Sequence, residues 1–216
     1  MRAKLRLHCL NLAYLFFGIV LFGATLSGLL TTDSRWMNWH FSRLGEGGML
    51  SSAIFNVALL LSAVIMFALG IALTDNIARV SNKAEINLDK TKKIVSRSFT
   101  AITICLVGVA TFPFDRFPVV HNIFGYSMLF IFLALCVMTP KMLPIFSRKF
   151  HIYGQSVIIC TIICYVLFII VGSITLLTVE FIIFTFLYGW LLLFINGILS
   201  SIPASEINSD ILTNKQ

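Results

Sequence analysis

Long apolar runs alternate with short polar gaps along this chain, and the apolar part of the pattern occurs six times. The runs cover roughly 10–30, 49–73, 99–112, 123–138, 155–177 and 181–199. A bilayer hydrocarbon core is about 30 Å thick, and a helix crosses it with about 20 predominantly apolar residues. Four runs meet that length outright; the third and fourth reach it once residues 94–98, His121 and Thr139 are counted. The pattern predicts six spans at about 10–30, 49–73, 95–113, 121–139, 155–177 and 181–200. The expected fold is therefore all-α, a single integral membrane bundle of six transmembrane helices over residues 1–216. No gap is long enough to fold as a separate domain.

Composition agrees: 58% of residues are hydrophobic and 12% charged, with a mean hydropathy of +0.95. A net charge of +7 in a soluble protein would suggest nucleic acid. Here the charge marks topology instead, and no nucleic-acid partner is expected. Arg2, Lys4 and Arg6 precede the first run, and Arg79, Lys83, Lys90, Lys92, Lys93 and Arg97 fill the second gap. Lys141, Arg148 and Lys149 fill the fourth gap and Lys215 the tail, whereas the other gaps hold only Arg35, Arg43 and Arg116. Short loops rich in Lys and Arg stay cytoplasmic. Both termini are thus expected in the cytoplasm and the protein in the cell membrane. The N-terminus imitates a secretory signal, with small residues at 24–28, but its apolar stretch exceeds the 7–15 residues of a signal core. It reads as an uncleaved first span. Cys9, Cys105, Cys136, Cys160 and Cys164 all fall in or beside apolar runs and read as packing residues.

The first outer gap, 31–48, places Trp36, Trp39, His40 and Arg43 at helical spacing before Gly45, Gly47 and Gly48, predicting a short interfacial helix. The third gap, Pro113 to Pro118, brings Asp115, Arg116 and His121 to the same surface. Only Thr178, Val179 and Glu180 separate the last two spans, which predicts a helical hairpin with Glu180 at its tip. In lipid, small residues and interhelical hydrogen bonds mark helix contacts. The second span offers Ser52, Asn56, Ala63 and Gly70; the first offers Gly18, Gly23, Ala24, Thr25, Ser27 and Gly28; the last offers Gly189, Asn196 and Gly197. Asn56 stands out as a buried hydrogen-bonding residue. No charge falls in the middle of any run, which argues against a proton pump or ion channel.

Chemistry has few candidates. His40 and His121 belong to the outer side, with Asp115 and Glu46 near the same surface. Two imidazoles and one or two carboxylates are a donor set for a divalent metal that activates water, although the chain has neither HxxxH nor HExxH. His121, Asp115 and His40 are the candidate catalytic groups, and these three with Glu46 the candidate metal ligands. There is no GxSxG, GxGxxG or P-loop, and no cofactor is expected.

Two stretches carry a resemblance. Ser42-Arg43-Leu44-Gly45 followed by Ile54-Phe55-Asn56, and Phe112-Pro113-Phe114-Asp115 with His121 opening the fourth span, resemble the bacterial six-span family DUF 998 (domain of unknown function). More distantly they resemble the DRAM-like membrane proteins. The resemblance implies six helices with both termini inside and singles out Ser42, Gly45, Asn56, Asp115 and His121. It implies no reaction, although some distant relatives act in lipid remodelling or trafficking.

The resulting expectation is a multi-pass membrane protein, non-enzymatic, with a lipid- or partner-binding role. Its partners would be membrane lipids and a membrane protein, and Ser42, Gly45, Asn56 and Asn196 would be structural polar residues. The alternatives are a membrane-embedded lipid hydrolase with an outer-face His/Asp site, and a small transporter or immunity-type protein with a cavity near Asn56 and Asn196.

Overall fold

The computed structural model describes residues 2–47, 49–80 and 87–202, without the side chains of 2–7, 34 and 35. Gly48, Lys83 and Lys215 lie outside the described residues, as do the side chains of Arg2, Lys4, Arg6 and Arg35. Among the described residues the fold is all-helical, as hydropathy predicts, with six long helices: α1 (Arg2–Leu30), α2 (Leu50–Ile77), α3 (Leu88–Thr111), α4 (Pro118–Met142), α5 (Arg148–Val166) and α6 (Leu176–Ser200). Each belongs to a segment long and apolar enough to cross a membrane. Their outward faces are apolar too, with Phe22, Leu29, Val64, Val119, Phe130, Ile159 and Ile170 exposed. Helices apolar on both inner and outer faces are suited to lipid, not water, as solvent. The chain is a multi-pass membrane protein.

Local sequence sets the helix ends. Asn87, Ser147 and Thr175 are N-caps whose side chains accept from the backbone N–H of Lys90, Phe150 and Thr178, satisfying donors that a helix start leaves open. Pro118 occupies the first turn of α4, where no N–H is needed. The last residues of the fifth span, Leu167–Val171, wind as a π-helix, and Gly172 ends it in the left-handed region at φ 65°. Here the structure departs from the hydropathy reading. The break falls at 172–175, so Glu180 lies inside α6 and not at a hairpin tip. Gly172 and the capping Thr175 stop and restart the helix within a stretch that holds no charged residue.

The helices form a ring. Each packs on its neighbours in sequence, and α6 closes against α1. Small residues sit at these contacts: Gly23 meets Ala58, and Gly70 lies so close to Phe99 that an added Cβ would come within 2.6 Å of the phenylalanine Cβ. Gly18, by contrast, faces open space. At the end of the bundle where α1 begins and α6 ends, Phe146, Phe150, Trp190 and Phe194 fill the interior with ring contacts. The opposite end is covered by the loop between α1 and α2, which folds as two 3-10 turns, Ser34–Asn38 and Phe41–Gly45. The helical spacing of Trp36, Trp39, His40 and Arg43 is thus realised as tighter turns, broken at His40, whose backbone is extended (φ −154°, ψ 159°).

Candidate functional site

The α1–α2 loop is bonded to most of the bundle. Ser27 Oγ on α1 donates to Leu44 O at 3.4 Å, and Asn56 Nδ2 on α2 donates to Gly45 O at 3.1 Å. The N–H of Leu177 on α6 donates to Trp39 O at 2.7 Å, while Glu180 Oε2 accepts from the Phe41 N–H at 2.7 Å. Asp115, in the α3–α4 turn, accepts from the Gly47 N–H at 3.2 Å. Within the loop, Arg43 lies 4.5 Å above the Trp39 ring and bonds Asp33 through Nε and Nη2 at 3.0 and 2.8 Å. Glu46 adds a longer contact to Arg43, 3.7 Å. Four of the bundle's parts therefore hold one short segment in place.

That segment roofs an internal cavity of about 390 Å³. Phe16, Val20 and Ala24 of α1, Phe55, Leu59 and Met66 of α2, and Ile102, Leu106 and Val109 of α3 supply apolar wall. Met128, Leu129 and Phe132 of α4 and Ile183, Leu187 and Leu191 of α6 complete it. At 1.5 Å per residue, the α4 wall from His121 to Phe132 runs about 16 Å, close to half of a 30 Å hydrocarbon core. The roofed end is polar, with His40, Ser42, His121 and Glu180 in its wall. Asn122 and Tyr126 both line the cavity and are exposed, which marks the α4 side as the way in. Deeper, Tyr188 Oη is buried without a hydrogen-bond partner.

The geometry at His121 is specific. Phe112 ends α3, and its carbonyl, followed by Pro113, lies 2.8 Å from His121 Nδ1. A carbonyl only accepts, so Nδ1 carries the proton. In the neutral ring Nε2 then bears the lone pair, and Ser42 Oγ lies 2.7 Å from it with its own proton to give. Phe114 stands between the two histidines, edge-on to both, with centroids 4.9 Å from His40 and 5.9 Å from His121. Burial, with the nearby His121 and Arg43 charges adding to it, pushes the His40 pKa down to about 4. His40 is therefore neutral at physiological pH, and its buried Nε2 has no partner. Burial raises the Glu46 carboxyl above its usual range, against the pull of Arg43.

The residues singled out from sequence divide accordingly. His40 and His121 line the cavity, whereas Asp115 is tied to Gly47 and Glu46 to Arg43 at the rim. Among the described residues no three His, Cys, Asp or Glu side chains gather closely enough to hold a metal ion. Asn56 joins Gly45, and the two touch so closely that an added Cβ on Gly45 would come within 2.6 Å of Asn56 Oδ1. Asn196 bonds the Leu192 carbonyl of its own helix, and neither asparagine belongs to the cavity wall. Ser42 and Glu180 gain roles that spacing did not reveal. Their partners lie 79 and 139 residues away. Gly172 and the capping Thr175 are the local signals that place Glu180 inside a helix. Comparison of the chain with protein-family models, with curated proteins and with solved structures finds no match.

Proposed function

We propose that this protein binds a single-chain, lipid-derived amphiphile inside its helix bundle, with the polar group under the α1–α2 loop. The observation that carries the reading is the cavity's asymmetry. Apolar wall over about one leaflet's depth ends in a cluster of His40, Ser42, His121 and Glu180. Apolar walls with a few convergent polar groups are the usual form of a small-molecule site. An ionisable residue within a membrane-spanning helix and facing its interior, here Glu180, is a functional marker by default. At the roofed end His40 Nε2, buried and unpartnered, is free to engage the ligand's polar group. The aromatic filling of the half of the bundle where α1 begins and α6 ends favours a binding chamber over a conduit. The bias of Lys and Arg toward the gaps on that side supports insertion with the roofed end outside the cell. The ligand then comes from the outer leaflet.

Gly125 gives the test. It lines the cavity, and nothing lies within 4 Å of a Cβ built there. Gly125→Phe is expected to fill the chamber while leaving helix packing intact. Protein purified in mild detergent should carry lipid detectable by mass spectrometry, and the variant should lose most of it with an unchanged elution profile. Wild-type protein that carries no lipid and shows no saturable uptake of a fluorescent acyl ester overturns the reading.

A further inference from the structure

The geometry points to acyl-ester cleavage in this chamber, with Ser42 as nucleophile and His121 as its base. The inference rests on the lipid-binding reading but requires more than binding. Three groups stand in series: the Phe112 carbonyl fixes His121 through Nδ1 at 2.8 Å, and His121 Nε2 faces Ser42 Oγ at 2.7 Å. A nucleophile within reach of a base, with that base oriented by a third group, is the arrangement nucleophilic catalysis needs. It occurs at the polar end of an apolar chamber, where an ester carbonyl would sit if the acyl chain filled the apolar wall. Ser42 is held in register by the neighbouring Phe41 N–H on Glu180 and by Gly45 on Asn56. Such bracing limits the drift that costs rate. Asp115, committed to Gly47, is not the third group. A base oriented by a neutral carbonyl is weaker than one backed by a carboxylate, which suits an oxygen ester, with its better leaving group, over an amide.

The reaction balances with water as co-reactant. Ser42 Oγ attacks the carbonyl carbon while its proton passes to His121 Nε2. The bond from that carbon to the alcohol oxygen breaks, and His121 returns the proton to the departing alcohol. Water then attacks the acyl-Ser42 ester, giving its proton to His121. Collapse releases the fatty acid, and His121 reprotonates Ser42 Oγ.

The experiment uses the full chain in mild detergent with a long-chain alkyl fluorophosphonate, which adds covalently to activated serines. The expected result is a single adduct mapped by mass spectrometry to Ser42, together with hydrolysis of a chromogenic long-chain acyl ester. Ser42→Ala should abolish both. His121→Gln should slow both by about 100-fold or more, the lower range for a positioned general base. Thr185→Ala, on the exposed face of α6, should change neither. The adduct on wild-type protein needs no variant to fold. Saturable ester binding without adduct or hydrolysis overturns the catalytic inference and leaves the binding site standing. Absence of binding as well removes both.

Discussion

Single residues at the roofed end carry measurable consequences. His40 has its pKa lowered to about 4 from an ordinary 6.5. The unfolded chain therefore takes up this proton more readily than the folded one between those values. Stability is unaffected by His40 above pH 6.5, falls as pH drops through the window, and levels off below about 4. The full effect is at most roughly 3 kcal/mol. Glu46 acts in the opposite sense: its raised carboxyl pKa favours the folded state at low pH, and that contribution fades as pH rises above 4.5. Subtracting the thermal unfolding profile of His40→Gln from that of wild type isolates the histidine. The difference should be flat above pH 6.5, and the wild type should lose stability relative to the variant as pH falls toward 4; a difference independent of pH contradicts the burial of His40. Gly45→Ala is expected to cost about 1–3 kcal/mol, the range for overpacking, because the new methyl meets Asn56 and Phe55. A lowered melting temperature in detergent checks it. Several polar and small residues meet at this end: Ser42 on His121, Gly45 on Asn56, and Asp115 on Gly47. Of these residues, Asn56 stands out as a polar position within an apolar run, and Asp115 and His121 as ionisable groups beside one, whereas nothing in the polar surroundings of Ser42 and Gly45 marks them. Sequence could not pair them, since a hydrogen bond across 79 residues leaves no local periodicity.

Among the elements, the long helices were legible and the α1–α2 loop was not. Helices in lipid announce themselves by hydropathy over some twenty residues, a signal too strong to miss. Their ends are less visible. α2 runs on to Ile77, so Asn76, outside the predicted span, is buried and donates to Ala72 O and toward Cys9 Sγ. α3 begins at Leu88, and its first turns carry Lys90, Lys92 and Lys93 on a helix that continues past the hydrocarbon. The loop's shape depends on tertiary bonds, chiefly the Glu180 bond to the Phe41 N–H. Glu180→Ala removes the acceptor and Glu180→Gln keeps one. A hydrogen bond between uncharged groups is worth about 0.5–1.5 kcal/mol, so amide exchange at Phe41 should quicken by roughly two- to tenfold in the alanine variant. The glutamine variant should change far less. Equal protection in all three proteins would show that the loop is held by its other contacts alone.

For the whole molecule, six crossings return the chain to the side from which it set out. Arg116 and Lys93 are exposed at opposite ends, and the native cysteines, none disulfide-bonded, are buried or half-buried. In intact cells, Arg116→Cys should react with a membrane-impermeant maleimide and Lys93→Cys only after lysis. The reverse pattern would invert the topology and move the chamber's roof to the cytoplasm. The long reach of the Glu180 bond also bears on biogenesis. The roofing segment leaves the ribosome well before the two α6 groups that fasten it, Leu177 and Glu180, the latter 139 residues beyond Phe41. A nascent polypeptide halted before residue 176 would insert its first five helices without a finished chamber. The chamber is closed only once α6 has been made, so five helices alone leave the roofing segment without its most distant fastenings.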